Sequence, residues 1–189
     1  MQSLSKSDLR KMFLEKRKNI PQAQKLEADK NIFEFFFKNV TLQEGAIVAG
    51  YWSINGEVDV LPILKELLKR GHVCVLPHTE DKNSPLEFYE WHEDTPMIKG
   101  KFDIAEPAVA KKHIPDIILT PLSAFDVSGH RLGYGAGLYD RTIAGIKENK
   151  SVLTIGVGYK IQLCNDLPIE ETDVKMDMII TDKEIYITK

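Results

Sequence analysis

From Pro121 to Arg141 the chain reads PLSAFDVSGHRLGYGAGLYDR. Gly133, Gly135 and Gly137 alternate along the stretch that separates Arg131 from the triplet Tyr139-Asp140-Arg141. Glycine lacks a Cβ, so successive backbone N–H groups can converge on one anion and a ligand can approach closely. The arginine fork matches phosphate oxygens in shape and charge. An aspartate just past such a loop can hold a magnesium ion that travels with the phosphates. These residue types point to a nucleotide-phosphate site. A tight turn would explain the same glycines, and the spacing fits neither G-x-G-x-x-G nor G-x-x-x-x-G-K-[ST]. From the residues alone, both readings stand.

Three other stretches carry groups that could do chemistry. Lys6 and Arg10 are four apart, which puts them on one face of a helix; such a pair often marks only a solvated basic face. Tyr51 to Asp59 reads YWSINGEVD, a turn running into a helix, where Glu57 and Asp59 would favour the positive end of the helix dipole. Leu167 to Asp177 is rich in acids, as an exposed loop and strand cap would be. Lys11, Lys16, Arg17 and Lys18 carry no pattern of their own and read as surface residues.

The elements that must position these groups follow from periodicity and punctuation. Ser5-Lys6-Ser7-Asp8 resembles a capping box and opens a basic helix to about Lys18. Pro21 can start a second helix, with Phe33, Phe36, Phe37 and Val40 on its buried face. Ala46–Trp52 reads as a buried strand. Val60–Arg70 reads as a helix closed by Gly71. His72–Leu76 is a strand that Pro77 ends, and Leu86–Trp91 is a more alternating one. Asp94–Ala110 reads as irregular. Ile117–Thr120 is a buried strand, and a helix spans about Leu138 to Glu148 after the Gly-rich loop. Ser151–Tyr159 and Met178–Thr181 are further buried strands, with a short one at Glu184–Ile187. Apolar strands alternating with helices predict an α/β fold with a mostly parallel sheet covered on both faces. Ligands in such folds sit beyond the carboxyl ends of strands.

Bulk properties narrow the class. With 189 residues, 43% hydrophobic and 28% charged, the chain reads as one soluble domain spanning 1–189. A net charge of −3 argues against general nucleic-acid binding. Cys74 and Cys164 form no metal motif and read as reduced thiols. The five histidines show no close ligand spacing. No secretory signal is visible, and Phe35-Phe36-Phe37 is far too short to span a bilayer. The expected location is the cytoplasm, with no membrane partner.

Arg131-Leu132-Gly133-Tyr134-Gly135-Ala136-Gly137-Leu138-Tyr139-Asp140-Arg141 is similar to the signature of the 5-formyltetrahydrofolate cyclo-ligase family. Its pattern is R-L-G-aromatic-G-x-G-aromatic-Y-D-R after a P-L-x-A-F-D-like strand end. Leu138 replaces an aromatic, but no charge and none of the three glycines is lost. Lys6-Ser7-Asp8-Leu9-Arg10 matches the family's K-x-x-L-R. Glu90-Trp91-His92 and Phe102 to Pro107 resemble its aromatic-rich strand and G-I-x-E-P-like turn, with Asp103 where glycine is common. Leu167 to Asp177 resembles its P-x-E-x-H-D-x-x-x-D motif, with Thr172 in place of the histidine.

The resemblance implies a Rossmann-like three-layer sandwich and a monomer acting on 5-formyltetrahydrofolate and ATP, with Mg2+ as cofactor. It implies that Lys6, Arg10 and Arg131 clamp the phosphates, Arg10 and Arg131 as catalytic charges. The loop Leu132-Gly133-Tyr134-Gly135-Ala136-Gly137 and Tyr139 would complete the ATP site. Glu57 would hydrogen-bond the pterin, with Tyr51 and Trp91 beside the folate. Asp140 would hold the metal with Asp173, or with Asp177 as the fallback. Two other readings use the same fold: a sugar-phosphate isomerase-like enzyme that needs no ATP, and a folate- or nucleotide-binding regulator without turnover.

Overall fold

The structure, a computed structural model, describes residues 4–108 and 111–188. Helix α1 (Lys6–Lys18) opens on Ser5, whose hydroxyl oxygen accepts the Asp8 N–H at 3.2 Å and itself donates to the Asp8 carboxylate at 2.6 Å. This is half of the expected capping box. Helix α2 (Gln22–Asn39) starts after Pro21 and buries Ala28, Ile32 and Phe36 along one stripe. Strand β1 (Ile47–Ala49) leads to helix α3 (Leu61–Lys69), which ends before Gly71 at φ +83°. That left-handed conformation is the one glycine adopts without steric cost.

Strand β2 (Val73–His78) runs through Pro77 rather than stopping there. Its pairing with β1 ends at Val75, so the absent Pro77 N–H breaks no bond to that neighbour. Strands β3 (Glu87–Glu90), β4 (Met97–Lys99), β5 (Ala105–Pro107) and β6 (Lys112–His113) follow. The stretch expected to be irregular holds the β4–β5 hairpin, in register Met97 to Pro107. Val109 and Ala110, at the end of that stretch, lie outside the described residues. The hairpin turn uses Phe102 at φ +64° and Asp103 at φ +61°, conformations that a sequence reading assigns to glycine. Strands β7 (Ile117–Pro121), β8 (Ala124–Phe125) and β9 (Arg131–Leu132) lead into helix α4 (Leu138–Lys147). Strands β10 (Leu153–Val157), β11 (Met178–Ile180) and β12 (Ile185–Ile187) close the chain.

Eight strands form the main sheet, in the order β12-β11-β10-β7-β1-β2-β3-β6. From β11 to β2 neighbours are parallel; β12, β3 and β6 add antiparallel edges. Alternate residues feed opposite faces. Ile117 and Leu119 of β7 pack with α2 and α3, whereas Ile118 packs with Ile143 of α4. The result is the expected three-layer α/β sandwich. Among the described residues no helix is long and apolar enough to cross a membrane.

The chain reverses its direction of travel across the sheet at the β1–β7 pair. From β1 it moves outward to β2 on one side; from β7 it moves to β10 and β11 on the other. Helix α3, after β1, covers one face, and α4, after β7, covers the other. The loops beyond β1 and β7 therefore part around a crevice, which is where open α/β sheets bind ligands.

At the opposite edge, Asp116 ties the start of β7 to β1. Its Oδ2 accepts the Ile47 N–H at 2.8 Å and its Oδ1 pairs with Lys150 at 2.8 Å. Partial burial raises this carboxyl's pKa, but the Lys150 ammonium and the Ile47 N–H outweigh it and hold the group below the usual carboxylate range. A carboxyl depressed in the fold stabilises above its unfolded pKa and loses that contribution as pH falls through its folded value. The pair is more than a third exposed, so solvent limits its worth to about 0.5–1 kcal/mol. Asp116→Asn is expected to lower stability by about that amount near neutral pH. The difference from wild type should shrink below about pH 4, as urea unfolding at a series of pH values would show.

Candidate active site

The Gly-rich loop connects β9 to α4 at the edge of the crevice. Gly135 has φ +101° and Gly137 φ +65°, so both need a residue without Cβ. At Gly135 a Cβ would also stand 3.2 Å from the Arg10 guanidinium carbon. Gly137 occupies the N-cap position of α4 and leaves the first helical N–H groups without a side-chain cap. Uncapped N–H groups and the helix dipole together favour an anion. Tyr134, Gly135 and Ala136 are exposed to receive one.

Helix α1 brings cations to this loop from a distant part of the sequence. Its apolar face, Leu9 and Phe13, packs against Ala124 and Leu132 of the β8–β9 hairpin. Arg10 Nε donates to the Gly133 carbonyl at 2.7 Å. Lys6 lies one turn away and pairs with Asp173 at 2.7 Å and Glu170 at 3.1 Å. Burial opposes the charge on Lys6, but the two carboxylates prevail and raise its pKa.

Arg131 is almost fully buried. It donates to the Val174 carbonyl at 3.0 Å and pairs with Asp140 at 3.0 Å. The Val174 N–H donates to the same Asp140 oxygen at 3.1 Å. Burial raises the Asp173 carboxyl, yet its hydrogen bond to Lys6 and the charges of Lys6 and Arg131 lower it overall. Lys6, Arg10, Arg131, Asp140 and Asp173 thus gather around one loop. Asp177 stands apart from them: it is buried beside β10, with Oδ2 accepting the Thr154 N–H and hydroxyl at 2.9 and 2.8 Å.

Across the crevice, the turn after β1 carries Glu57, 7% exposed. Its Oε2 accepts the Ile54 N–H at 2.9 Å, whereas Oε1 is buried without a well-formed hydrogen bond, the Tyr134 hydroxyl lying near the carboxylate. Burial raises this carboxyl's pKa, partly offset by the Ile54 N–H, the Arg17 charge and the nearby Tyr134 hydroxyl. A buried acceptor left without a donor is costly, and such groups mark places where a ligand supplies the missing partner. Tyr139, in the first turn of α4, packs against the core beneath that helix, where burial pushes its hydroxyl well above the usual phenol range.

Tyr51 and Trp91 sit differently from expectation. Tyr51 is in the core and donates its hydroxyl to the Val58 carbonyl at 3.1 Å, so it braces the Glu57 turn from beneath. Trp91 is core as well. Strand β3 is antiparallel to β2, and the Trp91 N–H bonds the Cys74 carbonyl near the start of β2. That is the amino end of the parallel strands, away from the Gly-rich loop. An aromatic at a strand end reads the same way in sequence whichever end of the sheet it occupies.

Arg17 corrects the surface reading most sharply. It is 1% exposed and donates to the Asn55 carbonyl at 3.1 Å, the Leu122 carbonyl at 3.1 Å and the Tyr134 hydroxyl at 2.7 Å. The signal was present: Leu9, Phe13 and Arg17 recur every four residues, and all three are buried.

Comparison with known proteins agrees with this fold. The model of the 5-formyltetrahydrofolate cyclo-ligase family matches residues 2–182. The chain is 32% identical to the 5-formyltetrahydrofolate cyclo-ligase of Haemophilus influenzae, over 85% of this chain and 88% of that protein. It is 29% identical to the one from Mycolicibacterium smegmatis, over 97% and 96% respectively. The solved structure of Aquifex aeolicus 5,10-methenyltetrahydrofolate synthetase superposes with a TM-score of 0.84 at 30% identity, covering 98% of this chain and 94% of that one. The Mycoplasma pneumoniae 5,10-methenyltetrahydrofolate synthetase shares the fold, with a TM-score of 0.78 at 24% identity over 95% of this chain and 100% of that one. By its sequence and its fold, this chain is an enzyme that belongs to the 5-formyltetrahydrofolate cyclo-ligase family.

Proposed function

We propose that the crevice binds ATP along the Gly-rich loop and 5-formyltetrahydrofolate along the Glu57 turn, and closes the folate to 5,10-methenyltetrahydrofolate with release of ADP and phosphate. The observation that carries this reading is the pairing of an uncapped, cation-flanked glycine loop with a buried carboxylate oxygen facing it without a well-formed hydrogen bond. The chemical obstacle is a formamide, whose carbon is a poor electrophile and whose oxygen is a poor leaving group. Transfer of the γ-phosphoryl group to the formyl oxygen breaks the bond to ADP and gives an iminium phosphate. N10 then attacks the formyl carbon and gives up its proton, and phosphate departs as the ring closes.

The protein's part is to bind, orient and stabilise charge. Arg10 and the N–H groups at the start of α4 hold the phosphates, joined by Lys6 and Arg131. Phosphate oxygens would take the place that Asp173 and Asp140 occupy beside Lys6 and Arg131. Those two carboxylates, freed from their cations, would hold a magnesium ion. Among the described residues no three metal-ligating side chains cluster. Magnesium nevertheless fits the site, because it usually takes only one or two carboxylates and completes its shell with phosphates and water. When bound, it would neutralise charge on the phosphates. Glu57 Oε1 accepts an N–H from the pterin ring, and Tyr139 belongs to the nucleotide side. No protein nucleophile is required. The reaction is assigned to the cytoplasm and to a single chain.

The direct test is the absorbance of methenyltetrahydrofolate formed from 5-formyltetrahydrofolate, with ATP and magnesium supplied together or singly. Product is expected only when both are present; product without ATP would overturn the assignment. Arg10→Ala removes a charged group from the loop, which should raise KM for ATP by about ten- to a hundredfold with KM for the folate nearly unchanged. Glu57→Gln replaces one acceptor oxygen by a donor and should act the other way, weakening folate binding by about tenfold or more while sparing the nucleotide. Initial rates against each substrate in turn would separate the two.

A further inference from the structure

Arg17 takes no part in the scheme above, yet it touches both halves of it. A guanidinium charge removed from water is costly unless its N–H groups are matched. Arg17 meets that demand with acceptors from three separate segments. Asn55 lies in the turn that carries Glu57, Leu122 follows β7, and Tyr134 lies inside the Gly-rich loop. The three segments lie beyond the carboxyl ends of β1 and β7, on the two sides of the crevice. A guanidinium is planar and its N–H directions are fixed relative to one another. Three acceptors bound to it are therefore fixed relative to one another as well.

The acceptors are not equally dependent on Arg17. The Leu122 carbonyl also accepts Gln162 Nε2 at 2.8 Å, and Gln162 in turn accepts the Tyr159 N–H at 2.8 Å. The segment after β7 therefore has a second anchor. Asn55 holds φ +50°, a conformation unusual for a residue other than glycine. The Arg17 contact helps to hold it, and Glu57 lies two residues on.

We propose that Arg17 is a positioning residue for both substrates, its one guanidinium setting the Gly-rich loop, through Tyr134, against the Glu57 turn, through Asn55. This rests on the reading of these two loops as the nucleotide and folate sides. A lysine at position 17 keeps the charge but cannot form the planar fork, so it releases at least one of the two loops. Tyr134→Phe removes the hydroxyl that accepts from Arg17 and lies near Glu57, and leaves the Arg17–Asn55 contact in place.

The experiment is calorimetric titration of wild type, R17K and Y134F with two ligands separately: a non-hydrolysable ATP analogue with magnesium, and 5-formyltetrahydrofolate. R17K is expected to weaken both by about tenfold while circular dichroism shows a native fold. Y134F is expected to weaken the analogue by about tenfold. R17K that melts earlier but binds both ligands like wild type would reduce Arg17 to a structural role and overturn the proposal. So would Y134F with unchanged affinity for the analogue, a result that decides the matter even if R17K does not fold. Wild type that binds neither ligand would instead overturn the assignment of the loops.

Discussion

A full positive charge sits at the centre of the crevice wall with almost no access to water, and the surrounding chain is arranged to satisfy it. Arg17 has an exposure of 1%. A buried cation left unmatched costs several kcal/mol, so each acceptor around it is under pressure to stay in place. Those acceptors belong to the turn after β1, the segment after β7 and the Gly-rich loop. Loops are ordinarily the most variable parts of a fold. Here three of them converge on a group whose geometry leaves little freedom, so the crevice has a shape before any ligand enters.

The same economy governs the charges meant for ligands. Lys6 rests on Asp173 and Glu170, and Arg131 rests on Asp140. Each cation is held by a carboxylate that the metal reading also requires. A phosphate entering the loop competes with these carboxylates, and a divalent cation entering with it competes with Lys6 and Arg131 for them. Opposite charges arriving together exchange partners without leaving any group unpaired. A phosphate arriving alone would displace carboxylates with nothing to receive them. Under the proposed function this exchange suits ATP and magnesium as joint ligands and gives no comparable advantage to a metal-free sugar phosphate.

Much of this was legible in the sequence, and the exceptions have physical causes. Ile117 to Thr120 reads as a buried strand because both of its faces are covered, and the glycines after β9 mark the loop because two of them need positive φ. The ligand side of the crevice followed from the placement of Glu57 and the glycines after successive strands. Trp91 reads as a neighbour of the ligand because strand direction, which puts it at the far end of the sheet, leaves no mark on local composition. The β4–β5 hairpin leaves no clear signal in the sequence because its strands are three residues each and its turn relies on Phe102 and Asp103 in left-handed conformations. Arg17 read as solvated because charge dominates a residue-by-residue reading. Its spacing from Leu9 and Phe13 was the better guide, since a helix face buries whatever it carries.

That helix face also explains why residues near the start of the chain can act at a site built after residue 121. Leu9 and Phe13 are 4% and 2% exposed and close an apolar seam with Ala124 and Leu132, the hairpin that feeds the Gly-rich loop. Burying side chains of this size stabilises by about 1.5–3 kcal/mol each. The seam therefore fixes the axis of α1, and the helical repeat fixes the rest: Lys6 and Arg10 on one side of it and Arg17 one turn past Phe13. Cations on a free arm would lose conformational entropy each time they met an anion. Lys6 and Arg10 are carried on a helix already packed against the Gly-rich loop, so on the proposed reading that ordering is complete before a phosphate arrives, and the binding energy of the substrates would be left for the chemistry.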